Sequence, residues 1–209
     1  MYSDTGEGQF AGVYDFAFNP VLRRVHNSIR LLAKKYNCHS VIDLGSGTGA
    51  QARVLANHGF SVTGVDSSYQ MIKVAQRKSP STISFLQSDI TSFTCNDSRF
   101  DAVNICLVLH PNPIETILNI LDKSKNLVAP EGVVFVTDYG IGEGIFGKMA
   151  NGIVKVIESL AKENHSNNYF SFMKRNGIDM LSNLPSITII EKRKYYHGAL
   201  QTYVLSFSP

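Results

Sequence analysis

Cysteine is scarce in this chain. Cys38, Cys95 and Cys106 are the only three, widely spaced and with no C-x-x-C. That fits a reducing compartment, and neither a disulfide framework nor a zinc site. An excess of one charge is also lacking: 20 Lys and Arg against 17 Asp and Glu leave +3, too little to call for nucleic acid. Basic pairs such as Arg23-Arg24, Lys34-Lys35 and Arg77-Lys78 are scattered, and the densest run, Lys192-Arg193-Lys194, reads as a solvated strand end. No apolar run approaches the roughly 20 residues that span a bilayer. The polar N-terminus shows no signal-peptide pattern. These absences lead us to expect a soluble, cytoplasmic protein with no DNA partner and no transmembrane segment.

What is present centres on Val41-Ile42-Asp43-Leu44-Gly45-Ser46-Gly47-Thr48-Gly49. Apolar residues run into alternating glycines, and a helical pattern follows through Gln51, Val54, Leu55 and Ala56: a buried strand, a tight turn and a helix start. Glycine tolerates φ > 0 and close backbone approach, and the N–H groups of a helix start favour a polar or anionic group. Asp43 sits among apolar neighbours, where a carboxylate is costly to bury unless it meets donors. The dinucleotide fingerprint G-x-G-x-x-G is missed by one residue, and the turn has no lysine for a P-loop. Asp66 ends a second short strand (Ser61–Val65), about twenty residues on, where a βαβ unit places a carboxylate on ribose hydroxyls. A third strand at Ile83–Leu86 leads to Asp89 and Ile90, an acceptor beside an apolar wall. Three acidic residues at the carboxyl ends of three strands suit ligand binding there.

Asp-Leu-Gly-Ser-Gly-Thr-Gly resembles the first motif of the class I S-adenosylmethionine-dependent methyltransferases, and Gly64-Val65-Asp66-Ser67-Ser68 is similar to their second. The resemblance runs from about Val41 to Gly132. It includes Phe100-Asp101-Ala102-Val103, ending in Leu109-His110, and the Leu127 to Gly132 pattern ahead of the fifth strand, Val133–Thr137. It implies an α/β, Rossmann-like, seven-stranded sheet, mostly parallel with an antiparallel C-terminal strand and helices on both faces. One domain is expected over 1–209: covering helices (1–37), a cofactor core (38–139), a substrate-cover insertion (140–183) and a terminal hairpin (184–209). Ala129-Pro130-Glu131-Gly132 reads as a turn, and Ile145, Phe146, Met149, Ile153, Val156, Ile157 and Leu160 form a helical stripe that can cover the sheet.

The resemblance further implies S-adenosylmethionine as cofactor and S-adenosylhomocysteine as product. Asp43, Gly45, Ser46, Gly47, Thr48 and Gly49 would hold the methionine end, Asp66, Ser67 and Met71 the ribose and adenine side, Asp89 and Ile90 the adenine, and Cys106 and Leu107 the methionyl group. His110, Tyr139 and Tyr14 are the candidates for a base or acceptor contact. No Asn/Asp-Pro-Pro-Tyr/Phe follows the fourth strand, no acidic residue stands at that strand's end and no Asp-Asn pair follows the next, as metal-dependent catechol-type methyltransferases require, so no catalytic metal is expected. The acceptor is expected to be small or lipid-like, as in quinone-biosynthesis and phospholipid methyltransferases. The alternatives are a protein or RNA methyltransferase and a non-catalytic S-adenosylmethionine-binding subunit, with a nicotinamide-dependent dehydrogenase behind them. Oligomeric state is left open.

Overall fold

The computed structural model describes residues 22–95 and 99–207. Tyr14 and most of the expected covering segment lie outside the described residues. A helix over 22–35 (α1) is followed by β1 (Ser40–Leu44), α2 (Ala50–Ala56), β2 (Ser61–Asp66), α3 (Tyr69–Lys78), β3 (Ser84–Gln87), β4 (Phe100–Cys106) and α4 (Ile114–Leu127). Then come β5 (Val128–Tyr139), α5 (Gly144–Ser159), α6 (Glu163–Lys174), a 3-10 turn (Gly177–Asn183), β6 (Ile187–Tyr195) and β7 (Leu200–Phe207). The strands form one seven-stranded sheet in the order β3-β2-β1-β4-β5-β7-β6. β1, β2 and β3 pair in parallel, and β7 runs antiparallel to both β5 and β6. This is the expected α/β, Rossmann-like sheet.

The described chain divides into two compact units, one ending at Asn104 but including Leu127–Gly132, the other made of Ile105–Asn126 and the residues from Val133. In the first, Val25, Ile29 and Leu32 form the buried stripe of α1, as the helical period requires. Val41, Ile42 and Leu44 of β1 are also fully buried. Asp101 holds the start of β1 from outside the ladder: one of its oxygens accepts from the N–H groups of His39 and Ser40 at 2.8 and 2.9 Å. In the second unit, Val134, Phe135 and Val136 of β5 pack with Tyr203, Val204 and Leu205 of β7, all fully buried.

Two local expectations are corrected. Ala129-Pro130-Glu131-Gly132, read as a turn, continues β5, so that strand starts at Val128. Gly132 permits this, since a Cβ there would fall 2.7 Å from the Asp101 carbonyl oxygen. The second concerns α5. Its stripe of Ile145, Phe146, Met149, Ile153, Val156, Ile157 and Leu160 was expected to cover the sheet, yet every one of these is exposed. The helix instead buries Gly147 and Glu158. Gly147 explains the docking: a Cβ there would meet Gly142 at 2.6 Å and the His197 carbonyl oxygen at 2.8 Å. Backbone approaches backbone on that side, and larger side chains have no room.

Gly64 marks a similar approach in the first unit. A Cβ at Gly64 would lie 2.6 Å from the Phe85 ring, so Gly64→Ala should destabilise the protein by about 1–3 kcal/mol, the usual range for overpacking. In a Phe85→Leu background the same substitution should cost clearly less. Urea denaturation of the four proteins checks this, and equal costs in both backgrounds would refute the contact.

Candidate active site

Asp43 lies at the carboxyl end of β1, opposite Gly64 in the register, and is 2% exposed. Its Oδ1 accepts from the Asn104 amide at 2.7 Å. Among the described residues, its Oδ2 and the Asn104 Oδ1 are buried with no partner. Burial pushes the Asp43 carboxyl up to about 6; the Asn104 hydrogen bond pulls it down and the Asp66 charge pushes it further up. A buried acceptor without a donor costs roughly 1–3 kcal/mol, so this turn is built around an oxygen waiting for a donor.

Three glycines shape the turn, with φ of 75° at Gly45, 52° at Gly47 and 77° at Gly49. Their roles differ. A Cβ at Gly49 would strike the Phe85 ring at 2.7 Å, so Gly49 serves packing, whereas a Cβ at Gly47 would meet nothing within 4 Å. Gly47 is therefore the open position. Its N–H donates to Asp66 Oδ2 at 2.8 Å, and Ser68 N–H donates to Asp66 Oδ1 at 2.9 Å. Burial raises the Asp66 carboxyl above its ordinary range, and these two N–H groups offset part of that. The cap of α3 is Ser68, whose Oγ accepts from Met71 N–H at 3.3 Å; Asp66 belongs to the turn. Each Asp66 oxygen keeps a further acceptor site. Ser67 is exposed and Met71 half-buried beside it, while Ser46 and Thr48 are buried. Asp89 is exposed, and its Oδ1 accepts from both the N–H and the hydroxyl of Thr91. Those bonds hold its carboxyl below the usual range. Ile90 is half-buried.

In the second unit, β4 ends with Cys106, and Leu107 follows at φ 58°. A non-glycine residue in that region is strained. Leu107 is held there by its N–H, which donates to the Thr137 carbonyl at 2.8 Å. The chain then places His110, only 3% exposed, against Asp138. The fully buried Asp138 carboxylate accepts from the N–H groups of Leu109, His110 and Tyr139 at 2.8 to 3.2 Å, and from His110 Nδ1 at 2.8 Å. A carboxylate only accepts, so Nδ1 carries the proton and Nε2 presents a lone pair. The Tyr139 ring lies 4.6 Å from the His110 ring and its hydroxyl donates to Glu158 Oε1 at 2.8 Å. His165 Nε2 donates to Glu158 Oε2 at 2.8 Å, and the Tyr169 ring closes the group edge-on. Burial and the Glu158 charge push the Tyr169 hydroxyl up to about 12.

Glu158, His165 and Asn104 were not among the site residues expected. Glu158 carried a signal: it is an acidic residue late in an apolar helix. His165, in the polar run Glu163-Asn164-His165-Ser166, carried none.

Residues 41–132 match the family model described as "Methyltransferase domain". Over these residues the chain resembles a class I, S-adenosylmethionine-dependent methyltransferase domain. The chain is 38% identical over 99 residues to the protein YqeM of Bacillus subtilis (strain 168), a match covering 45% of this chain and 40% of that one. It is 28% identical over 135 residues to a ubiquinone biosynthesis O-methyltransferase of Actinobacillus pleuropneumoniae serotype 7 (strain AP76), covering 60% and 56%. The chain thus spans about half the length of the curated relatives it matches. Among solved structures, the plantazolicin methyltransferase BpumL in complex with a triazolic desmethylPZN analog and SAH is similar in fold, with a TM-score of 0.67 at 14% identity over 98% of this chain and 92% of that one.

The methyltransferase turn has a pH signature. Asp43 prefers the neutral acid when folded, with a carboxyl at about 6 against about 3.9 unfolded. Stability should therefore fall as pH rises from about 4 to about 6. The full cost, on the order of 3 kcal/mol, should remain above that window. Asp43→Asn should flatten the window and leave the unliganded protein more stable at pH 7, as urea denaturation at pH 4.5 and 7 would read. An unchanged pH slope would contradict the assignment.

Proposed function

We propose that this domain transfers a methyl group from S-adenosylmethionine to a small or lipid-like acceptor, releasing S-adenosylhomocysteine. The observation that carries the reading is the buried, unpartnered Oδ2 of Asp43 beside the open Gly47. That oxygen suits the cofactor's ammonium, and the remaining acceptor sites of Asp66 suit a ribose diol. Gly45, Ser46, Thr48 and Gly49 complete the turn, Ser67 and Met71 flank the diol, Asp89 and Ile90 would meet the adenine, and Cys106 and Leu107 the methionyl group. When bound, S-adenosylmethionine supplies a methyl carbon already activated by its sulfonium.

The residues of this chain then have to hold the acceptor and manage its proton. His110 has the arrangement for a general base: Asp138 fixes its tautomer and stabilises the imidazolium that forms. Its Nε2 lone pair would take the proton of an acceptor hydroxyl. Tyr139 already commits its own proton to Glu158, so we assign it to orienting rather than to proton removal. A phenolic hydroxyl on a quinone-like ring is the acceptor class favoured by the aromatic walls of Tyr139 and Tyr169 and by the relative named for ubiquinone biosynthesis. Among the described residues no helix is long and apolar enough to cross a membrane. A cytoplasmic site of action fits the sparse cysteines.

Thermal unfolding with S-adenosylmethionine, S-adenosylhomocysteine and NAD tests the cofactor. At a hundred times its dissociation constant, a ligand adds about 2.7 kcal/mol, and Asp66→Ala should abolish that gain. Turnover of radiolabelled S-adenosylmethionine on hydroxylated quinone precursors tests the reaction, with kcat falling about 10²–10⁴-fold in His110→Ala. Stabilisation by NAD alone would overturn the reading, and tight binding with no turnover would favour a non-catalytic subunit.

A further inference from the structure

Helix α5 buries a carboxylate and leaves its apolar residues in solvent, which needs a reason. Glu158 is 5% exposed and its carboxylate meets the Tyr139 hydroxyl, His165 Nε2, and His110 Nε2 at 3.7 Å. That last distance is too long for a hydrogen bond. Nδ1 of His110 donates to Asp138, so in the neutral ring the Nε2 lone pair faces a carboxylate oxygen, an arrangement that suits a shared cation.

We propose that His110, Glu158 and His165 form a binding site for a divalent transition metal of the zinc class. One ligand atom from each lies within 4.8 Å of the other two. A tetrahedral Zn²⁺ with bonds of roughly 2.0–2.1 Å spaces its ligands about 3.4 Å apart. His165 Nε2 lies 2.8 Å from Glu158 Oε2 and His110 Nε2 lies 3.7 Å from Glu158 Oε1, so the two imidazoles approach the carboxylate through different oxygens at separations on either side of that spacing. Two imidazoles and one carboxylate are a known three-ligand zinc set that leaves a fourth position for water. The supporting groups are present as well. Asp138 on Nδ1 of His110 is the carboxylate–histidine pair that orients a metal ligand, and the Tyr139 hydroxyl fixes one oxygen of Glu158. His165, with its side chain 37% exposed, gives the ion a way in. On binding, the Nε2 proton of His165 is displaced to solvent or to its own Nδ1.

The site goes beyond the proposed methyl transfer and revises the expectation of a metal-free domain, which rested on cysteines and on acidic residues at strand ends. It also constrains the reaction: Nε2 of His110 cannot hold a metal and accept a proton at once.

Zinc titration of the chelator-treated protein against a chromophoric chelator tests the site directly and needs no turnover. The wild type should take up one equivalent that His165→Ala and Glu158→Gln each weaken at least tenfold. Variants of the exposed His58 and His197 should bind as the wild type does. Co²⁺ in the wild type should give the intense visible bands of a four-coordinate ion. Circular dichroism confirms that each variant is folded, and Glu158→Gln keeps an acceptor for Tyr139. Uptake equal in wild type and both ligand variants, or no uptake above the histidine controls, would overturn the proposal. Loss of zinc binding with S-adenosylhomocysteine stabilisation intact would leave the methyltransferase reading standing.

Discussion

The cofactor half of this domain depends on one buried carboxylate that its own fold satisfies only in part. Among the described residues, the Asp43 carboxylate receives one hydrogen bond, from Asn104, and its second oxygen has no partner. Around that deficit the turn is fixed by ordinary means. Gly49 and Gly64 admit the Phe85 ring, Gly47 opens toward the ligand side, and Asp66 ties the turn to β2 by accepting from Gly47 N–H. A folded protein rarely leaves such an oxygen buried without use. A cationic ligand group would convert a cost on the order of 3 kcal/mol into binding energy, so poor self-satisfaction and cofactor affinity become one property. Functional sites commonly accept this kind of exchange between stability and activity.

The second unit shows the opposite arrangement. Asp138 is fully satisfied, by three backbone N–H groups and His110 Nδ1. A carboxylate so held is rigid, and it passes that rigidity to the imidazole. Beyond it, Glu158, His165 and Tyr139 make a polar network inside an aromatic wall. Helix α5, docked through Gly147, turns Glu158 into that network.

The sheet was legible because β1, β2 and β5 carry continuous apolar runs and because the glycine turn and Asp66 stand at the spacing of a βαβ unit. The turn expected at Ala129–Gly132 failed because proline and glycine usually punctuate a chain, whereas here Gly132 lets the strand pass close to Asp101. The α5 stripe failed for a different reason. Helical periodicity reports that apolar residues share a face, and says nothing about which face docks; a single Gly147 against Gly142 decided that. Glu158 and His165 stayed hidden because they meet His110 only through tertiary packing, with no motif spacing to announce them.

The central claim is that the Asp43 charge stays uncompensated until a ligand cation meets it. Isothermal titration of S-adenosylhomocysteine at pH 6, in buffers of different ionisation enthalpy, measures the protons exchanged on binding. Pairing with the ligand's ammonium should lower the Asp43 carboxyl and release a substantial fraction of a proton at pH 6. That release should fade by pH 8 and vanish in Asp43→Asn, where binding is also weaker. Binding with no proton release at pH 6, or undiminished affinity in Asp43→Asn, would contradict it.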